Sequence, residues 1–278
     1  MVLAEREQCQ GAMMHLRHVG FRVLSSAPSV YLTDIVVRRV YGGKLLSRGR
    51  MIDTNDASVS PWVRTLIFWD MYENAELQLI QQFLPKDIDV IELGGSIGVV
   101  ASQIAGSLDG GRRLVSVEGN PSLIELLKRN VEANGCRDCA TVIHGAVAYA
   151  TPPSDFVSMS FGDSSLAGWL SDSPEQSSGH QVPCVTLGAL ISRYQFERFA
   201  LIADIEGAEA GIFVHDKEIL IRCCPLMIVE LHETTFEGRR LSIPDLVTMA
   251  KELGYTVKDN RRNVYVFENL ALGLSPAQ

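Results

Sequence analysis

The chain has 278 residues, 46% of them hydrophobic, and its 33 acidic residues against 25 Lys and Arg leave a formal net charge of −8. That length suits one large α/β domain with extensions, or at most two domains, and the apolar fraction is that of an ordinary globular protein. An acidic balance with no basic stripe and no interleaved aromatics excludes a nucleic-acid groove, and no apolar run reaches the length of a membrane span.

In chain order, the opening MVLAEREQCQ is charged early and has no apolar signal core, so a cytoplasmic location is expected. Residues 1–68 read as an N-terminal cap and 69–278 as the main domain. Within the cap, Val30 to Val40 is rich in β-branched residues and predicts a strand, turned back as a hairpin by Tyr41-Gly42-Gly43-Lys44. Asn74 to Phe83 carries Leu77 and Ile80, with Leu84 just beyond, at helical spacing, and Pro85 closes that helix. Strict alternation follows. A strand at Asp89 to Leu93 meets a glycine turn and a helix from Ile97 to about Ser107. A strand at Leu114 to Val117 ends in Glu118. A helix then runs from Pro121 to Asn134, with Asn120 as N-cap and Asn134-Gly135 as its stop. Thr141 to Ile143 is a third strand. The six cysteines are expected to be reduced thiols. Cys136 and Cys139 have CxxC spacing, but no second pair follows for a zinc ribbon.

Thr151 to Pro183 is rich in Ser, Pro and Gly, and two readings stand: a disordered surface excursion, or a lid that meets substrate through Gly162 to Leu166. Regularity returns with a helix at Leu187 to Tyr194, a strand at Phe199 to Ala203 ending at Asp204, and a strand at Pro225 to Val229 ending at Glu230. Pro244 to Leu253 is a helix stopped by Gly254. Tyr255 to Val257 and Val264 to Phe267 flank Lys258 to Asn263 as a closing hairpin. The fold class is α/β: a doubly wound, mostly parallel, Rossmann-like sheet with a C-terminal antiparallel hairpin and an N-terminal cap.

Glycine spacing decides which nucleotide cofactor such a sheet takes. A dinucleotide needs G-x-G-x-x-G so that a pyrophosphate can lie on the helix N-terminus. Here Ser96 stands in place of the middle glycine, and the turn reads acid-x-Gly-x-x-x-Gly from Glu92 through Gly94, Gly95 and Ser96 to Gly98. That pattern suits S-adenosylmethionine, which has no phosphate. Its amino-acid end needs backbone N–H groups and an acid, and its ribose diol needs the acceptor pair of Glu118, about twenty residues on.

Beyond the strand ends, where ligands of such sheets sit, lie Asp204-Ile205-Glu206 and Glu230-Leu231-His232-Glu233. Methyl transfer from sulfur to a hydroxyl requires the acceptor to lose a proton, and a positioned base supplies about 10²–10⁴-fold. His232 is the first candidate and Asp204 the second, with Glu230 beside them. Asp204, Glu206 and Glu230 are also a possible magnesium set, a reading not favoured over the metal-free one.

These motifs resemble the FkbM-type S-adenosylmethionine-dependent methyltransferases over about residues 70 to 235. The resemblance rests on Tyr72-Glu73, Glu92 to Gly98, Glu118-Gly119-Asn120-Pro121, Ser164-Ser165-Leu166, Val182 to Leu187, Asp204 to Glu209 and Glu230-Leu231-His232. It implies a class I methyltransferase sheet and O-methylation of a sugar or natural-product hydroxyl. The cofactor contacts expected are Tyr72, Glu73, Glu92, Gly94, Gly95, Ser96, Gly98, Glu118, Gly119, Asn120 and Ala146. Ser164, Ser165 and Glu206 are the expected acceptor contacts. Glu92 replaces the more usual Asp, Gly95 stands where Ala is common, and Gly188 where an Asp often follows Leu. A non-catalytic cofactor-binding protein acting in a complex is a second reading, and an NAD-dependent oxidoreductase, opposed by the missing glycine, a third. The expected partner is a small-molecule or glycan acceptor, without nucleic acid or membrane, and the oligomeric state is open between monomer and homodimer.

Overall fold

Nearly unbroken apolar strands form the central sheet of the computed structural model, which describes residues 27–149, 154–161, 168–170 and 180–273. The cap comprises α1 (Ala27–Val40), the hairpin β1 (Lys44–Ser47) and β2 (Arg50–Asp53), and α2 (Pro61–Phe68). Then come α3 (Asn74–Phe83), β3 (Asp89–Leu93), α4 (Val99–Ala105), β4 (Leu114–Glu118), α5 (Ile124–Ala133) and β5 (Ala140–His144). A second small sheet uses β6 (Ala146–Val147), β7 (Phe156–Phe161), β8 (Gly168–Leu170) and β9 (His180–Val185). The chain continues with α6 (Leu187–Tyr194), β10 (Phe199–Ala203), α7 (Glu209–His215), α8 (Lys217–Cys223), β11 (Leu226–Glu230), the ribbon β12 (Thr234–Phe236) and β13 (Arg239–Leu241), α9 (Ile243–Glu252), β14 (Thr256–Arg261) and β15 (Val264–Glu268).

The main sheet runs β14-β15-β11-β10-β3-β4-β5, with β15 antiparallel to both neighbours and the other pairings parallel. The strand order reverses between β3 and β10, so the loops after these strands diverge and open a crevice at their carboxyl ends. All five residues of β3 and of β10 are buried, because helices cover both faces. One core holds Val90, Leu114, Ile202 and Ile228 against α4, α5 and the cap; the other holds Ile91, Val115, Leu201 and Met227 against α6 to α9.

Five expectations are corrected. Val30 to Val40 is part of a helix, not a strand, because its buried face (Thr33, Asp34, Val37) follows helical spacing and Asp34 pairs with the buried Arg64 of α2. The hairpin lies just downstream, turning at Arg48-Gly49, both in left-handed backbone as a two-residue loop requires. Asn120 does not cap α5; its side chain accepts from Ser122 N and Oγ, and the helix starts at Ile124. The described parts of 151–183 form strands, not a featureless excursion, while 150–153, 162–167 and 171–179 lie outside the described residues. Finally, Cys136 and Cys139 are joined in a disulfide, their Cα atoms 5.1 Å apart at the turn after α5, whereas Cys184, Cys223 and Cys224 are free.

Candidate active site

The turn after β3 carries the first part of the site. Gly94, Ser96 and Gly98 all have positive φ, and a Cβ on Gly94 would stand 2.0 Å from the Asp204 carbonyl oxygen, so no side chain fits there. The turn is tied sideways: Gly94 N and Gly95 N donate to Val117 O, and Asp204 N donates to Leu93 O. Ser96 N donates to Glu118 Oε2 at 2.7 Å and Asn120 N to Glu118 Oε1 at 2.6 Å. Glu118 thus bridges two strand tips, and each oxygen keeps a lone pair for a diol. Burial lifts its carboxyl above the usual range, and the Asn120, Ser96 and Gly119 amides oppose that. Tyr72 Oη and Ser96 Oγ lie 3.1 Å apart.

These groups open onto a cavity of about 310 Å³. Among the expected residues its wall contains Tyr72, Glu73, Gly94, Ser96, Glu118, Gly119, Ala146, Asp204 and Glu206. Met159 and Phe161 of β7 close one side with Val117. The sequence reading passed over them, although Val157, Met159 and Phe161 alternate with polar residues. Glu92, Gly95, Gly98 and Asn120 are not in the wall. Glu92 is 2% exposed and sits under the turn, accepting from Ser116 Oγ, with its other oxygen unpartnered among the described residues. Burial pushes its carboxyl up to about 8. Ser164 and Ser165 lie outside the described residues. A larger cavity, about 590 Å³, opens beside Pro85, Arg112 and Gln195 at the amino ends of the strands, away from the glycine turn.

Among the described residues the wall carries the carboxyl groups of Glu73, Glu118, Asp204 and Glu206 and no Lys or Arg. Three wall residues, Glu73, Ser96 and Glu206, are non-glycines in left-handed backbone, a strained state that gathers at ligand sites. An acidic wall with an apolar side fits S-adenosylmethionine, whose ammonium and sulfonium are cationic and whose adenine is flat and weakly polar.

Beside the cavity, His232 joins three carboxylates. Its Nδ1 is 3.0 Å from Glu209 Oε1, and its Nε2 is 3.5 Å from Glu206 Oε2 and 3.7 Å from Asp204 Oδ1. Burial opposes charge on His232, but the Glu209 hydrogen bond and the charges of Glu209, Asp204 and Glu206 lift it to about 9. A ring held that high carries its proton at neutral pH and does not take another, which counts against His232 as the base. Burial, then Glu230, lifts Asp204 to about 7. Glu230 is raised by burial and lies outside the wall. Glu76, 5% exposed on the first turn of α3, was not anticipated; burial raises it well above the carboxylate range, helped by Glu73 and Asp204. Its spacing from Glu73, three residues along a helix, was the available signal.

A family model described as a methyltransferase FkbM domain matches residues 92–257. No curated protein matches the chain. Among solved structures it is similar to a protein in the NADB-Rossmann superfamily from Streptococcus agalactiae (TM-score 0.43, 11% identity, 72% of this chain and 70% of that one). It is also similar to the ribosomal protein L11 methylase from Lactobacillus delbrueckii subsp. bulgaricus (0.41, 10%, 71% and 77%). A third is the METTL16 MTase domain (0.40, 14%, 86% and 78%). None of the three reaches a TM-score of 0.5, and none bears on what this chain methylates.

Proposed function

We propose that this chain, which belongs to the FkbM methyltransferase family, moves the methyl group of S-adenosylmethionine to a hydroxyl of a sugar or natural product. The observation that carries this reading is the wall itself: four carboxyl groups, no Lys or Arg among the described residues, and Glu118 pre-oriented by two backbone amides. Residues 69–278 form the catalytic domain in this proposal, and 1–68 the cap.

In the proposed complex Glu118 accepts from the ribose diol, and Glu73 with Tyr72 and Ser96 surrounds the amino-acid end. Val117, Ala146 and Met159 flank the adenine. The acceptor hydroxyl enters beside Asp204, whose carboxylate takes its proton as the C–O bond forms and the S–CH₃ bond breaks. The bond's electrons stay on sulfur, leaving S-adenosylhomocysteine. Holding the oxygen in line with the sulfonium supplies much of the acceleration. His232, kept in place by Glu209, orients Asp204 and Glu206 instead of acting as base.

The test is methyl transfer from isotopically labelled cofactor to a panel of glycans and hydroxylated natural products, with the new bond located by NMR. A methyl ether supports the reading. Because an acidic wall also accommodates an ammonium, exclusive N-methylation would replace the proposed acceptor class, and cofactor binding without transfer to any acceptor would favour a non-catalytic role.

A further inference from the structure

Resting on that reading of the site, we propose that Asp204, Glu206 and His232 bind one divalent first-row metal ion against which the acceptor hydroxyl docks. The three residues come from two loops at the crevice, yet present one ligand atom each, all within 4.8 Å of one another. His232 Nε2 stands 3.7 Å from Asp204 Oδ1 and 3.5 Å from Glu206 Oε2, beyond good hydrogen-bond distance. Ligands about 2.1 Å from a shared ion stand roughly 3.0–3.5 Å from one another, so a small closure completes the set.

The surroundings point the same way. Glu209, 0% exposed, holds His232 Nδ1 and so turns Nε2 toward the two carboxylates, the carboxylate–histidine arrangement found behind metal ligands. Asp204 Oδ1 and Glu209 Oε2 are buried with no hydrogen-bond partner among the described residues. No Lys or Arg pairs with Asp204, Glu206 or Glu209 among the described residues. Glu206 is held in left-handed backbone (φ +52) in the wall, followed by Gly207, where a Cβ would stand 3.1 Å from Thr234 Oγ1. The backbone is therefore constrained to place this carboxylate.

Two carboxylate oxygens and one imidazole suit manganese or iron better than calcium. Binding displaces the Nε2 proton to solvent. Asp204 and Glu206 belong to the cavity wall, so an ion held by them would supply a Lewis acid for the acceptor's developing alkoxide, with Asp204 Oδ2 left to take the proton.

The experiment titrates Mn²⁺ into the chelator-treated full chain by calorimetry and electron paramagnetic resonance, with S-adenosylhomocysteine titrated in parallel. One Mn²⁺ per chain is expected, weakened at least tenfold in Glu206→Gln, in His232→Asn and in Glu209→Gln, the last being the size usual for loss of a histidine's buried partner. His232→Asn, outside the cavity wall, should change S-adenosylhomocysteine affinity by less than threefold. Failure of Mn²⁺, Zn²⁺ and Mg²⁺ to bind at millimolar concentration while S-adenosylhomocysteine binds would overturn the metal site and leave the methyltransferase reading intact. Equal Mn²⁺ affinity in all variants would overturn it too, by placing the ion elsewhere. Absence of S-adenosylhomocysteine binding in the wild type would overturn the methyltransferase reading and with it the docking of an acceptor hydroxyl against the ion.

Discussion

A Cβ on Gly95 would stand 2.3 Å from Ser116 Oγ, 2.8 Å from Leu127 Cδ2 and 3.3 Å from Glu92 Oε2. The Ser116 hydroxyl, which donates to Glu92, and the Leu127 side chain occupy the room an alanine methyl at 95 would need. Gly95→Ala should therefore destabilise by about 1–3 kcal/mol, the usual range for overpacking, and Ser116→Ala in the same chain should recover part of it. Thermal unfolding of the single and double variants checks this; an unchanged melting temperature for Gly95→Ala alone would refute the overpacking. Glu92 also predicts a pH effect. Its folded-state value, about 8, is above the ordinary carboxyl value of 4.5, so its favourable contribution is complete below about 4.5 and is lost as pH rises through 8. Glu92→Gln, which cannot ionise, should gain stability relative to wild type between pH 6 and 9, as urea titrations at several pH values would reveal. Gly188 has a similar explanation: Leu187 N and Gly188 N donate to Asp216 across the chain, so the α6 terminus is capped without an acid at position 188.

At the scale of elements, α5 pairs with a strand edge through two asparagines. Asn134 exchanges hydrogen bonds with the backbone of Met51, and Asn130 with that of Asp53, so helix side chains stand in for a neighbouring strand of β2. Asn130 also donates to Ile97 O, next to the glycine turn, at 2.7 Å. Asn is a poor helix former, and its place here makes sense only through these contacts. Asn130→Ala leaves Ile97 O and the Asp53 backbone without their partner, which costs about 1–3 kcal/mol for each buried group left unsatisfied. Hydrogen exchange should show faster opening of the β2 amides and of the turn after β3. Protection equal to wild type would mean the asparagines are incidental. The same view changes what is expected of Glu118. Because it anchors Ser96 and Asn120, Glu118→Ala should lower the melting temperature as well as cofactor affinity, whereas an effect on affinity alone would show that the turn holds itself.

For the whole molecule, the cap and the sheet share one core: Val37, Ile52 and Ile67 pack in the same cluster as Val90 and Val100. Arg64 locks the cap internally, with Nε donating to Asp34 Oδ1 at 2.5 Å and Nη1 to Thr54 O at 2.9 Å, all inside the protein. Removing one member of such a pair strands the other, so Asp34→Ala should cost about 3–5 kcal/mol. Because the core is shared, the loss should appear in one cooperative transition, and calorimetry resolving a separate early transition would count against that coupling. Among the described residues no helix is long and apolar enough to cross a membrane. A ligand that binds only the folded state stabilises it by about 2.7 kcal/mol at a hundred times its dissociation constant. S-adenosylhomocysteine should raise the single transition by that mechanism and NAD should not; the reverse result would reopen the dinucleotide reading.

What could be read in the amino-acid order alone was whatever local rules govern. The boundaries of α3, β3 and β10 follow from apolar runs and breakers within each segment. The glycine turn, and the carboxylates at strand tips, follow from spacing along one βαβ unit. Tertiary structure decided the rest, because it turns on partners distant in the chain. Val30 to Val40 is helical because Asp34 meets Arg64, thirty residues away. The 151–183 stretch contains strands because β7 finds β9. His232, attractive as a base at its ordinary value, is instead held protonated by Glu209, Asp204 and Glu206, and Glu92 leaves the cavity to lie under the turn. Charge and burial are properties of three-dimensional neighbourhoods: water is excluded and acids are gathered only once the strand ends converge.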